Sequence, residues 1–148
     1  MQNGRRVAFD FGDVRIGYAT SDLNGLIATP GGVILNKAES LGKDLLKLLQ
    51  DTQPIYIAIG MPKHLSGKAS IKEESVSKFV QYLRTLTELP IYAIDERLTT
   101  VSAARTLRDR GQNSKNSKTD IDAFAAAEIL DSALNQERIS GTPRNRLL

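Results

Sequence analysis

The sequence contains no cysteine and a single histidine, His64. Disulfides and thiolate metal sites are therefore excluded, and the usage fits a reducing compartment. No apolar run approaches the length that crosses a bilayer. The opening, Met1-Gln2-Asn3-Gly4-Arg5-Arg6, has no long apolar stretch behind it, so no secretory leader is expected. A soluble, cytoplasmic protein without membrane contact is the expectation. Aromatic residues make up only 5%, yet the apolar share of 41% is enough for a core. At 148 residues the expectation is one domain, 1–148, with no internal repeat and no linker.

Charge is small in sum and uneven in placement. Arg105 to Lys118 carries +4 and Arg138 to Leu148 carries +3, which leaves −4 for the remainder of a chain whose net charge is +3. Such segregation suits a polyanionic partner; a solvated basic face is the plainer explanation.

The stretch Val7-Ala8-Phe9-Asp10-Phe11-Gly12-Asp13-Val14-Arg15-Ile16-Gly17-Tyr18-Ala19-Thr20-Ser21-Asp22 reads as two strands around a tight turn. Asp10 falls near the end of the first strand, where a buried carboxylate requires a cation or donors. Gly12 and Gly17 keep the neighbouring space free of side chains. Asp13 and Asp22 read as turn residues.

Along the chain the pattern predicts strands over 5–11, 15–21 and 26–35, with Pro30 suited to an edge. A helix over 37–50 follows, capped by Asn36 or Ser40. The nearly continuous apolar strand 55–59 suits a sheet covered on both faces. Then come a helix over 71–87, a strand over 90–94, a helix over 101–110 capped by Thr99 or Thr100, and a polar loop, 112–118. Thr119 is placed to cap a last helix over 120–135, after which the tail from Ser140 looks loosely held. The implied fold is α/β. Its mixed sheet has five strands, a three-strand antiparallel meander plus two parallel strands, with helices on both faces.

Ligands of such sheets gather at the carboxyl ends of the parallel strands. That rule brings together Asp10-Phe11-Gly12, Gly60-Met61-Pro62 and Asp95-Glu96-Arg97, with the start of the last helix adding Asp120 and Asp122. Asp10, Glu96 and Asp122 would form a carboxylate cluster with no opposing base nearby, a repulsion that divalent cations relieve. All-oxygen ligands favour magnesium or manganese. Two such ions about 3.5–4 Å apart activate water and stabilise the leaving oxygen in phosphodiester hydrolysis. Asp10, on the central strand, is the bridging candidate; Asp95 could replace Glu96, and Asp120 could add to the set.

Each residue also has a plain structural explanation. Asp122 sits three residues after Thr119, a capping-box position where an acid gains about 0.3–1 kcal/mol from the helix dipole. Asp120 could be a first-turn acid, and Glu96 could pair with Arg97 or Arg15. Arg97, Lys115 and Lys118 could hold a scissile phosphate or keep the surface wet. Arg105 and Arg108 lie in the basic segment, Arg15 lies beside the turn, and Thr99 contacts phosphate if it is not a cap. His64 suits a solvent-exposed loop better than general-base chemistry.

These pieces resemble a known family. Asp10-Phe11-Gly12, Arg15-Ile16-Gly17-Tyr18-Ala19 and Ser21-Asp22 are followed by Gly60-Met61-Pro62 with Leu65 and Gly67. Leu89-Pro90 then leads into Asp95-Glu96-Arg97-Leu98-Thr99-Thr100, and Ile121-Asp122 precedes Ala125-Ala126 and Ile129-Leu130. In that order and spacing the chain is similar to the pre-16S ribosomal RNA nucleases, also called Holliday-junction-resolvase-like proteins, of the ribonuclease H-like superfamily. The resemblance runs from Val7 to about Leu134. It implies a ribonuclease H-like fold, magnesium-dependent cleavage, and an acidic set on Asp10, Glu96 and Asp122. It further implies action in 5′-end maturation of the small-subunit ribosomal RNA precursor, with pre-ribosomal particles as partners. Branched-DNA resolution and a non-catalytic, nucleic-acid-binding maturation factor are the alternatives. Two features depart from the family pattern: Ala123 stands where a basic residue usually follows the last acid, and the 112–118 loop is less basic. Both predict a weaker grip on phosphate.

Overall fold

The computed structural model describes residues 1–62, 71–96 and 115–147. A six-stranded sheet runs in the order β3-β2-β1-β4-β5-β6. Its strands are β1 (Val7–Asp10), β2 (Arg15–Ser21), β3 (Ala28–Leu35), β4 (Ile57–Met61), β5 (Ile91–Asp95) and β6 (Asn145–Leu147). The helices are α1 (Leu41–Thr52), α2 (Ile71–Leu86) and α3 (Lys115–Ser140). The meander β1-β2-β3 is antiparallel, and β4 and β5 run parallel to β1, as the strand order predicts.

Alternation along the strands makes two unlike faces. Val7, Phe9, Ile57, Ile59 and Ile91 point to one side, where Leu45 of α1 and Phe79 and Leu83 of α2 cover them. Ala8, Ala19 and Ala58 point to the other, beneath Ala125, Ala126, Ile129 and Ala133 of α3. Small residues on both partners let α3 lie close against the sheet. The approach is tightest at Gly17, where an added Cβ would stand 2.1 Å from the carbonyl oxygen of Asp122. No described helix is long and apolar enough to cross a membrane.

The structure corrects several expectations. The sheet has six strands, not five: the tail supplies β6, antiparallel to β5. Arg84 holds it, donating from Nη2 to the Leu147 carbonyl at 2.7 Å. Three residues are too few to display an alternating pattern, so only the exposed edge of β5 explains why they pair. α3 begins five residues earlier than expected and ends five later. Thr119 lies inside it, so the capping-box explanation of Asp122 does not hold. Ser and Asn are weak helix formers but are tolerated in a terminal turn. At the far end Gly141, with φ +86°, ends the helix and donates to the Glu137 carbonyl at 2.7 Å. Ser40 takes the cap position of α1 without a side-chain bond. Asn36 instead donates from Nδ2 to the Gly12 carbonyl at 2.9 Å, tying α1's approach to the β1–β2 turn. β3 is an edge strand carrying Pro30, as expected. Asp22 is a turn residue: its Oδ1 accepts from the amides of Ile27 and Leu26, which holds its pKa below the ordinary value.

Sequence patterning gave no hint of a buried polar network at the amino end of β1. Arg6, fully buried, donates from Nε and Nη2 to the two oxygens of Glu137 at 3.1 and 2.6 Å. Tyr56 donates its hydroxyl to the same carboxylate at 2.9 Å. Burial, and then the Glu137 charge, raises the Tyr56 phenol far above its ordinary range. Arg6 also donates to the Gln2 and Gly4 carbonyls, so one guanidinium joins the first residues, β1 and α3.

Two predictions follow from this packing. Glu137→Gln, which strands the Arg6 charge in the interior, should lower unfolding free energy by about 3–5 kcal/mol in urea denaturation. Gly17→Ala should cost about 1–3 kcal/mol or more by the same measurement, because its new methyl meets backbone rather than a movable side chain.

Candidate active site

The carboxyl ends of β1, β4 and β5 lie side by side, and α3 crosses the same face. Asp10 ends β1 and is 5% exposed. It is paired across the hairpin with Gly17, the residue on which the α3 backbone rests. That contact places Asp122, 4% exposed, beside the end of β1. A cleft of about 270 Å³ opens here, lined by Asp10, Arg15, Lys72 and Asp122 together with the Phe11–Val14 turn.

Glu96, the residue after β5, is 8% exposed and does not line this cleft. Its carboxylate lies over β4: a Cβ built on Gly60 would stand 3.2 Å from Glu96 Oε1. Gly60 follows Ile59, which pairs with Phe9, so Gly60 runs alongside Asp10. No β4 side chain therefore stands between Asp10 and Glu96. The three acids share one face and one end of the sheet. Among the described residues, however, no three acidic, histidine or cysteine groups are drawn in tightly enough to form a metal-binding cluster.

The expectation that no base opposes the acids is wrong. Arg15 donates from Nε to Asp122 Oδ2 at 3.1 Å. This pairing also displaces the idea that Arg15 serves Glu96. Lys72, in the first turn of α2, donates from Nζ to the Phe11 carbonyl at 2.5 Å and lies 5.7 Å from the centre of the Phe11 ring. Nothing in the sequence marks Lys72, because its role depends on where α2 begins relative to the β1–β2 turn. Asp13 reads as a turn residue and also lines the cleft.

The remaining candidates divide. Asp95 closes β5 half-buried, while Asp120 and Lys118 are exposed on α3, outside the cleft lining. Lys115 opens α3. Arg97, Thr99, Thr100, Arg105, Arg108 and His64 lie outside the described residues.

Comparison with known proteins bears on the family and the fold. The sequence model of the family described as "RuvX: Holliday junction resolvase" matches residues 4–136. A protein of Streptomyces coelicolor named "Putative pre-16S rRNA nuclease" is 38% identical over 145 residues, covering 97% of this chain and 87% of its own length. A protein of the same name from Clavibacter michiganensis is 37% identical over 150 residues, covering 100% and 93%. Among solved structures, T. thermophilus RuvC in complex with a Holliday junction substrate superposes with a TM-score of 0.59 at 16% identity, over 97% of this chain and 99% of that one. A second structure of Thermus thermophilus RuvC gives 0.55 at 18% identity. These structures share the fold, which is the ribonuclease H-like arrangement expected from the sequence. With a family match over most of its length and relatives above one-third identity, the chain belongs to the RuvX family of Holliday-junction-resolvase-like nucleases.

Proposed function

We propose that the protein is a divalent-metal-dependent endonuclease of the cytoplasm that cleaves phosphodiester bonds in 5′-end processing of the pre-16S ribosomal RNA. The observation that carries this reading is the cleft shared by Asp10 and Asp122. Two nearly buried acids, far apart in sequence, face one opening with two cations, Arg15 and Lys72, on its walls. The relatives' names support the RNA substrate.

The donor set fits a hard cation. Asp10 and Asp122 offer carboxylate oxygens on one cleft, and Glu96 offers another from across Gly60. Oxygen donors of this kind suit magnesium or manganese. Such an ion, when bound, supplies activation of water and neutralisation of charge on the leaving oxygen. Asp10 and Asp122 would hold it, with Glu96 reaching in from across Gly60 as the third ligand; Asp95 and Asp120, also outside the cleft lining, are the further candidates. Arg15 and Lys72 hold the phosphate in line and balance its charge. The Phe11 carbonyl and ring fix the Lys72 ammonium in place before substrate arrives. Lys118 and Lys115, with Arg97, Thr99, Arg105 and Arg108 from outside the described residues, extend the contact along the nucleic acid.

Resolution of branched DNA is the second reading, favoured by the family description and by the fold shared with RuvC. It uses the same residues on a different substrate. A non-catalytic maturation factor would bind the same nucleic acid without cutting it.

The discriminating experiment incubates the protein with precursor 16S RNA and with a four-way DNA junction, in magnesium at matched salt. Cleavage of the RNA is expected to exceed that of the junction, and the reverse would favour resolution. Asp10→Asn should reduce cleavage by at least about a hundredfold while RNA binding persists. Precursor maturation that survives this substitution in cells would remove the enzyme reading. Lys72→Gln should weaken RNA binding and flatten its log K against log salt plot by about 0.7–0.9, one phosphate contact, in titrations from low to moderate salt.

A further inference from the structure

An arginine–carboxylate pair fastens α3 to the sheet near each end, and the two pairs are built differently. Arg6 meets Glu137 with two hydrogen bonds, and the two side chains are 0% and 4% exposed. Tyr56 and backbone carbonyls complete that network, so nothing entering from solvent can compete for it. Arg15 meets Asp122 differently. Among the described residues its guanidinium makes one hydrogen bond, through Nε at 3.1 Å, and its side chain is 28% exposed. It stands on the wall of the cleft with Asp10 and Lys72. A phosphate entering that cleft offers the guanidinium a pair of oxygens, the two-pronged geometry that arginine favours and does not find at Asp122.

We infer that Arg15 is an exchange cation. It neutralises Asp122 while the cleft is empty. A nucleic-acid phosphate draws it away, and a divalent ion then meets no guanidinium competing for that carboxylate. This inference rests on the reading of the cleft as a nuclease site and adds a coupling within it. Guanidinium and metal ion compete for one carboxylate, so each lowers the other's hold. A phosphate that takes the guanidinium removes the competition, and by thermodynamic reciprocity the metal tightens nucleic-acid binding by the same factor. The charge set needed for cleavage is thus completed only with substrate present. Arg15 acts through Asp122 on the metal, and in that respect it is a positioning residue.

The test uses the full chain and two separate titrations. Mn²⁺ binding is followed by electron paramagnetic resonance without nucleic acid. Binding of a labelled RNA hairpin is followed by fluorescence anisotropy in chelator, across a range of salt. Arg15→Gln is expected to tighten Mn²⁺ about fivefold or more. The same variant should weaken the hairpin and lower its salt slope by about 0.7–0.9. Movement in opposite directions is the signature, since a merely structural role would weaken both. Arg15→Lys, which keeps the charge but loses the fork, should hold Mn²⁺ near wild type and bind the hairpin more weakly than wild type. Unchanged or weaker Mn²⁺ binding in Arg15→Gln overturns the exchange, and so does equal tightening in Arg15→Lys. Asp10→Asn separates this failure from that of the site. If it abolishes Mn²⁺ binding while Arg15→Gln gains nothing, the metal site stands and the exchange falls. If neither wild type nor Arg15→Gln binds Mn²⁺, both fall.

Discussion

The contact between the α3 backbone and Gly17 governs the rest of the molecule. A helix can reach a sheet this closely only where neither partner interposes a side chain. At this point β2 has glycine, and a Cβ there would overlap the Asp122 carbonyl. The strand partner of Gly17 is Asp10. One steric fact therefore places an acid from the first strand beside an acid from the last helix. The alanines at 8, 19 and 58, facing those at 125, 126 and 133, carry the same close approach across the sheet. The opposite face is built from larger residues under α1 and α2.

Charge completes what packing begins. α3 spans about 22 Å between Asp122 and Glu137, at roughly 1.5 Å per residue. It meets an arginine at both positions. At Glu137 the pair is sealed, and it works as a fastening whose loss would leave a charge stranded in the interior. At Asp122 the pair opens onto a cleft, where water, a metal ion or a phosphate can compete for either partner. The same chemical pairing is structural at one end and available for function at the other, and the difference is solvent access.

Much of this was legible in the sequence. The β1–β2 hairpin, the edge position of Pro30 and the parallel placement of β4 and β5 follow from local pattern and from the rule that crossovers run one way. The rule that ligands sit at strand carboxyl ends brought Asp10, Glu96 and Asp122 to one region, and the structure places them on one face there. Glu96 remains apart from the cleft lining, because pattern gives the strand end and not the direction of a long side chain. Lys72 and the Arg15–Asp122 pair were hidden for a related reason: both depend on how a helix sits over a strand distant in sequence. Arg6, Tyr56 and Glu137 were hidden because charged residues read as surface until a structure shows them enclosed. β6 and the first turn of α3 were missed because terminal polar segments carry little periodicity, and tertiary context decides them.

The central claim is that Asp10 and Asp122 share a divalent ion at the mouth of this cleft. Diffraction from crystals soaked in manganese, with an anomalous difference map at the manganese edge, tests it most directly. The account predicts a peak within about 2.2 Å of a carboxylate oxygen of each residue, close to the usual distance for such ions. No peak there at saturating manganese, or a peak that touches neither acid, would contradict it.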